Sequence, residues 1–193
     1  LPDLYDTDYS SSGIGTWGLM SGGSWGGNGS SPWYPSHMSA WAKVQLGWVN
    51  PLVLDNEISI TLEMDNVEEN PVIFKLNGPN YSNQYFLFEN RQKIGSDQTL
   101  KNSGLLIWHI NDSQNNNTND YNRLVDLEQA DGLFQLNDGS NDGDLSDPYP
   151  GTMNITRFAN ETEPSSQYSN GTPSNIIVKD IQEYAGVITA TFQ

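Results

Sequence analysis

From about residue 55 to the C-terminus, short apolar segments alternate with turn residues, and this pattern constrains the fold more than any other feature. The segments show period-two alternation or short apolar runs, which are typical of strands. Several short strands with no convincing helix between them predict a mainly β fold, an antiparallel β-sandwich. The predicted strands are Ile58–Met64, Val72–Leu76, Tyr85–Gln92, Leu105–Asn111, Val125–Ala130, Ile176–Ile181 and Val187–Phe192.

The first 35 residues have a different composition, dominated by Gly, Ser, Asp and Trp. Residues 13–27 contain too many glycines for a helix and too little alternation for a strand. We therefore expect a folded loop with several positive-φ positions. Trp17, Met20 and Trp25 are the side chains expected to anchor this loop.

One helix is predicted after this loop, over Met38–Trp48. Ser36 is a plausible N-cap, and Gly47 is a plausible first residue beyond the C-terminal end. The apolar residues recur at three- and four-residue intervals, which indicates a single stripe packed on a core. The stripe consists of Met38, Trp41, Val44 and Trp48.

The charge balance excludes several classes of partner. The chain has 24 acidic and eight basic residues, a net charge of −16, and no cysteine. A chain this acidic lacks the basic surface needed to bind nucleic acid or an anionic membrane. The lack of cysteine excludes disulfides and thiolate chemistry, and no apolar run is long enough to span a bilayer. Divalent cations remain natural partners for such a chain.

A calcium-binding loop is one interpretation of residues 137–148. Oxygen-bearing side chains at alternate positions, followed by Gly143, match the first half of a calcium loop. The usual glutamate at the twelfth position is replaced by Tyr149, so an acid at the tenth position would have to substitute. A hydrated Asp/Asn/Gly turn is the alternative interpretation. The predicted calcium ligands are Asp138, Ser140, Asp142, Asp144 and Asp147.

Residues 1–8, which include Asp3, and residues 13–25 resemble the immune-inhibitor-A-like secreted bacterial metallopeptidases, which are relatives of the metzincins. Segments further along resemble the same family in the same order, so the likeness extends over most of the chain. These segments are Met38–Trp48, Tyr85–Gln92, Gly104–Ile110, Glu128–Gly132, Gly143–Asp144 and Asp147–Pro148.

The resemblance implies a zinc site. In this family a helix with the pattern H-E-x-x-H-x-x-G precedes a Leu-Pro-Asp run, which places Asp3 as the third zinc ligand. Two histidines and a carboxylate leave one coordination position for a water molecule that attacks the peptide bond. Met20 resembles the methionine of the Met-turn, which lies beneath the metal without binding it. An ordinary buried methionine is the alternative.

The sequence departs from the family pattern where the catalytic residues belong. The H-E-x-x-H motif is absent, and neither His37 nor His109 has a histidine partner four residues away. His109 lies in an apolar strand segment and is interpreted as structural. The chain is therefore expected to begin just after the motif helix and to be inactive by itself. Residues 1–50 would be the C-terminal part of a zinc peptidase catalytic domain, and residues 51–193 a β-sandwich domain.

The predicted function is that of a fragment of a secreted zinc-dependent endopeptidase, stabilised by calcium. Its partners would be protein or peptide substrates and the upstream half of its own catalytic domain. The alternative is a non-catalytic extracellular β-sandwich module that binds a polysaccharide or a protein, because exposed aromatic faces stack on sugars. The candidate aromatic residues are Trp25, Trp33, Tyr34 and Tyr121.

Overall fold

The computed structural model describes residues 1–78 and 83–193 and confirms a mainly β fold. Among these residues there is one α-helix, and the strands form two sheets. The helix α1 spans Ala40–Gln45. The strands are β1 Leu52–Leu54, β2 Ile60–Met64, β3 Phe74–Leu76, β4 Gln84–Arg91, β5 Gly104–Asn111, β6 Val125–Leu127, β7 Arg157–Phe158, β8 Val178–Tyr184 and β9 Val187–Phe192.

The five-stranded sheet has the order β1-β3-β4-β5-β6, and the four-stranded sheet has the order β2-β9-β8-β7. Every neighbouring pair is antiparallel except β1 and β3, which are parallel. The long pairing of β4 with β5 runs from Gln84 opposite Asn111 to Arg91 opposite Gly104. This pair forms the middle of the five-stranded sheet.

One face of the five-stranded sheet packs against the four-stranded sheet. Phe86 and Phe88 alternate along β4, so both side chains point to this face. The Phe88 ring meets the Phe192 ring of β9 nearly at a right angle, with centroids 5.3 Å apart. Buried residues from both sheets form a single apolar cluster here, which is the core of a sandwich.

The opposite face of the same sheet carries the N-terminal segment, residues 1–39, together with α1. Leu87 and Trp108 pack there in one buried cluster with Leu4, Ile14 and Trp17. Both faces of β4 and β5 are therefore buried, which explains why these strands are apolar at consecutive positions. The N-terminal segment is thus folded onto the sheet.

Two strands were missed by the sequence prediction, and the predictions for β2, β3 and β6 were too long. β1 and β7 have only three and two residues, too few to show alternation. β6 ends at Leu127. Beyond it, the Glu128 amide still donates a hydrogen bond to the Ile107 carbonyl of β5, but the regular strand pairing does not extend to Ala130.

The predicted helix was also too long, and its N-cap was wrong. Ser36 donates its hydroxyl to the Thr16 carbonyl at 2.8 Å, so it ties down the N-terminal segment. Ser39 caps α1 by accepting from Ala42 N at 3.3 Å. Gly47 is confirmed just beyond the C-terminal end, with φ of +69°. α1 is far shorter than a bilayer-spanning helix, and no helix of the described residues could cross a membrane.

Candidate functional site

Asp3 and Met20 line the same cavity, which has a volume of about 440 Å³. The backbones beside them are paired, because Leu4 N donates to the Met20 carbonyl at 2.7 Å. The buried Leu4 side chain anchors this pairing in the core. We call this cavity the Asp3 cavity. Its other lining residues include Tyr5, Asp6, Tyr9, Leu19, Trp25 and Asp142.

Asp3 is exposed, and its carboxylate has one hydrogen-bond partner in the described part of the chain. The Tyr5 hydroxyl donates to Asp3 Oδ2 at 3.0 Å. This hydrogen bond, together with the carboxylate charge, raises the pKa of Tyr5. Asp3 therefore has an oriented carboxylate that still faces the cavity, and Tyr5 is a contact that sequence reasoning missed.

The described residues do not by themselves form a zinc site around Asp3. A catalytic zinc ion needs three protein ligands, but both histidines lie elsewhere. His37 Nε2 is 3.1 Å from Glu68 Oε1. His109 Nδ1 is 3.3 Å from Glu128 Oε1, and its ring stacks on Phe86. These contacts agree with the structural role expected for His109.

At two positions of the N-terminal loop, the backbone passes so close to other backbone atoms that only glycine fits. Gly13 has φ of +59°, and a Cβ there would lie 2.2 Å from the Leu4 carbonyl oxygen. Gly15 has φ of +54°, and its Cβ would lie 2.4 Å from the Asp142 carbonyl oxygen. Both close approaches exclude a side chain, and they bring Asp3 and Asp142 to the same cavity.

Loop residues distant in sequence hold the N-terminal segment in place. Asn117 Nδ2 donates to the Leu4 carbonyl at 3.0 Å and to the Val125 carbonyl at 2.7 Å. Arg123 Nη1 donates to the Gly13 carbonyl at 3.2 Å. The loop that carries these residues therefore fixes the backbone at Leu4, next to Asp3, and at Gly13, a role that its composition did not reveal.

A buried ion network joins α1 to the five-stranded sheet. Glu89 accepts from Lys43 Nζ at 2.6 Å and from Arg91 Nη1 at 3.1 Å, and Arg91 also pairs with Asp97. Trp108 Nε1 donates to Glu89 at 3.0 Å. Although burial opposes ionisation, Lys43 and Arg91 lower the pKa of Glu89. Glu89 and Arg91, two residues apart on β4, thus form a buried ion pair.

The same network also holds the N-terminal segment. Arg91 Nη1 donates to the Trp17 carbonyl at 3.1 Å. Asp97 Oδ1 accepts from His37 N at 2.9 Å. Arg91 of β4 and its partner Asp97 thus fix the backbone on both sides of Met20, at Trp17 and at His37.

The structure separates the five predicted calcium ligands. Asp138 is exposed and accepts from the amide of Ser140 at 2.9 Å and from its hydroxyl at 2.5 Å. The Asp142 carbonyl accepts from Thr16 N at 2.9 Å, and Asp142 lines the Asp3 cavity. Asp144 and Asp147 remain together, since Asp144 N donates to Asp147 Oδ2 at 2.9 Å.

Asp131 joins Asp144 and Asp147, although the sequence analysis did not include it among the calcium ligands. One carboxylate oxygen of each lies within 4.8 Å of the others, the only such cluster of acidic and histidine side chains found among the described residues. Burial raises the pKa of Asp147 to about 7, and the charges of Asp144 and Asp131 add to this effect. The feature of the sequence that could have pointed to Asp131 is its position in an Ala-Asp-Gly turn after β6.

The four aromatic side chains considered for sugar binding are all exposed. The exposed fraction is 76% for Trp33 and 92% for Tyr121. Trp25 lines the Asp3 cavity, whereas Tyr121 lines a different one. Their exposure leaves stacking on a sugar physically possible.

Asp6 organises the loop that follows Asp3, and we expect Asp6→Asn to lower the free energy of unfolding by about 1–3 kcal/mol. Its buried carboxylate accepts from Ser10 N at 2.8 Å, Ser11 N at 2.9 Å and Asp8 N at 3.2 Å. Burial opposes ionisation, but these bonds lower the pKa of Asp6. Its contribution is therefore present above the ordinary carboxyl pKa and is lost as the pH falls through the lowered one.

Urea unfolding of the Asp6 variant at neutral and acidic pH measures this contribution. Asp8→Asn is the matched control, because Asp8 is an exposed acid of the same loop. Equal stability of the two variants at neutral pH would contradict the assigned role of Asp6.

The N-terminal part of the chain matches a known family. Residues 1–49 match the family model of the Immune inhibitor A peptidase M6, catalytic domain. The match contains Asp3, Met20 and α1 and ends just before β1. No curated protein matches the chain. The segment that forms the Asp3 cavity is therefore similar to part of a metallopeptidase catalytic domain, a class that uses a metal, typically zinc, and acts on peptides.

Proposed function

We propose that this chain is the C-terminal part of a secreted zinc-dependent endopeptidase and that it is inactive by itself. Residues 1–50 would complete the catalytic domain, and residues 51–193 would form the β-sandwich that supports it. The two histidines and the glutamate of the family motif are not in this sequence. They would come from the upstream half of the same catalytic domain, and the substrates would be proteins or peptides.

The observation that carries this proposal is the meeting of Asp3 and Met20 at one cavity. The family pattern requires a carboxylate and a methionine in this relation. The 2.7 Å bond from Leu4 N to the Met20 carbonyl makes the relation independent of side-chain rotation. The network around Glu89 and Arg91 then keeps the Met20 turn rigid, as a preorganised site requires.

Each residue of this chain has a limited role in the proposed site. Asp3 supplies one carboxylate ligand, and Tyr5 orients it through the 3.0 Å hydrogen bond. Met20 lines the cavity beside Asp3. When bound, zinc would supply the activated water of a metallopeptidase.

The test compares the 193-residue chain with a version extended by the residues encoded before Leu1. With added zinc and casein, we expect no hydrolysis by the shorter chain and zinc-dependent hydrolysis by the longer one. In the longer protein, Asp3→Asn should reduce activity by at least about 100-fold, since even outer partners of metal ligands are worth 10–100-fold. Zinc content should fall in parallel.

Asp8→Asn in the longer protein is the control, because Asp8 is an acid of the same loop that does not line the cavity. It should retain both zinc and activity. The proposal fails if the encoded upstream residues lack a histidine pair, or if Asp3→Asn leaves zinc content and hydrolysis unchanged.

The exposure of Trp25, Trp33 and Tyr34 favours a second candidate function, a non-catalytic extracellular module that binds polysaccharide. Under this alternative, the 193-residue chain is retained on an insoluble glycan, and Trp33→Ala abolishes retention without changing the melting temperature. Under the peptidase proposal, the chain is not retained. Affinity electrophoresis in glycan-containing gels separates the two outcomes.

A further inference from the structure

Three carboxylates from two loops lie close together next to Trp17 of the N-terminal segment. Asp131 follows β6, while Asp144 and Asp147 belong to the loop before β7, and one oxygen of each lies within 4.8 Å of the others. Within residues 1–78 and 83–193, none of the three forms an ion pair with lysine, arginine or histidine. Three carboxyl groups are thus close together without a protein counterion among the described residues.

Asp147 has one oxygen with partners and one without. Asp147 is fully buried. Its Oδ2 accepts from Trp17 Nε1 at 2.7 Å and from Asp144 N at 2.9 Å. Its Oδ1 is also buried and has no hydrogen-bond partner in the part of the chain that the structure describes. A buried carboxylate oxygen without a partner is costly unless a proton or a cation supplies the missing interaction.

We propose that a calcium ion binds between Asp131, Asp144 and Asp147. All three donors are carboxylates, which are ligands that hard cations prefer and that zinc and copper use less readily than nitrogen or sulfur. The donors lie on irregular loops, which suit the flexible coordination of calcium better than the strict octahedron of magnesium. Backbone carbonyls and water would complete the coordination shell.

This site differs from the linear loop suggested by the sequence. Asp138 and Ser140 bond to each other, whereas Asp131 comes from a separate loop. The proposed ion would also stabilise the Asp3 cavity, because the loop that carries Asp144 and Asp147 contacts Trp17 and Thr16. The inference depends on this geometry and not on the peptidase proposal.

Thermal melting and isothermal titration calorimetry of the 193-residue chain test the site. After treatment with a chelator, calcium at about one hundred times its dissociation constant should raise the melting temperature by about 5–10 °C. Asp131→Asn should weaken calcium binding at least tenfold. Asp138→Asn should leave it unchanged, which makes this exposed loop residue the matched control.

Asp147→Asn gives a second, independent readout. The NH2 group of the asparagine would take the place of the unpartnered Oδ1, and the variant would have no carboxylate charge in this buried position. In the presence of a chelator, the variant should therefore be at least as stable as the wild type. In calcium the order should reverse, because only the wild type gains the ion.

Three results would overturn the proposal. The first is an unchanged wild-type melting temperature at millimolar calcium. The second is calcium binding that is lost in Asp138→Asn but retained in Asp131→Asn, which would assign the ion to the linear loop. The third is an unchanged order of stability of wild type and Asp147→Asn with and without calcium. If Asp147→Asn does not fold, Asp131→Asn, at a half-buried residue, still decides the question.

Discussion

Replacing Glu89 with glutamine is expected to lower the free energy of unfolding by about 3–5 kcal/mol, the usual cost of removing one partner from a buried ion pair. Glu89 is fully buried between Lys43 at 2.6 Å and Arg91 at 3.1 Å. The variant leaves the Lys43 ammonium in the core without its carboxylate partner. It also weakens the attachment of α1 to β4.

Urea unfolding monitored by tryptophan fluorescence measures this loss. Glu161→Gln is the control, since Glu161 forms a comparable but exposed pair with Arg157, and exposed pairs contribute about 0–1 kcal/mol. A double variant, Lys43→Met with Glu89→Met, should be less destabilised than the sum of its two single variants, because no unpaired charge remains. A loss below about 1 kcal/mol in Glu89→Gln would contradict the assigned network.

The Glu89 variant also changes the dependence of stability on pH. Because the pKa of Glu89 is lowered in the folded state, its contribution is present above the ordinary carboxyl pKa and disappears as the pH falls through the lowered value. Stability of the wild type should therefore decrease more steeply in acid than stability of Glu89→Gln.

Trp17→Ala is expected to cost about 3–5 kcal/mol, as is typical of a buried tryptophan. Trp17 is completely buried in the cluster shared with Leu4 and Trp108. Its indole also donates to Asp147 at 2.7 Å. The substitution therefore leaves a cavity beside Leu4 and removes one of the two hydrogen bonds to Asp147 Oδ2.

Thermal and urea unfolding in the presence of a chelator measure this packing effect separately from the effect of any bound ion. Trp33→Ala is the matched control, because its side chain is 76% exposed and surface substitutions usually change stability by less than about 0.5 kcal/mol. Similar losses for the two variants would mean that the N-terminal segment is not packed on the five-stranded sheet.

Local patterns were sufficient for much of the fold. Period-two alternation and short apolar runs predicted seven strands near their observed positions, because the pattern of apolar residues follows from whether one or both faces of a strand are buried. It failed for β1 and β7, which are too short to show a period. Gly47 ended the helix as predicted because its left-handed φ is a local requirement. Ser36 failed as the cap, because the distant Thr16 carbonyl took its hydroxyl.

At the level of sequence, the resemblance to a known family singled out Asp3 and Met20, and the spacing of oxygen-bearing side chains within residues 137–148 indicated an acidic loop. Only the tertiary structure decided which distant groups meet them. Met20 lines the same cavity as Asp3, while Asp131 lies close to Asp144 and Asp147, beside Trp17. Trp17 and Asp147 are 130 positions apart in the chain. Such contacts depend on how the sheet, helix and loops pack together, and residue spacing along the chain carries no record of that packing.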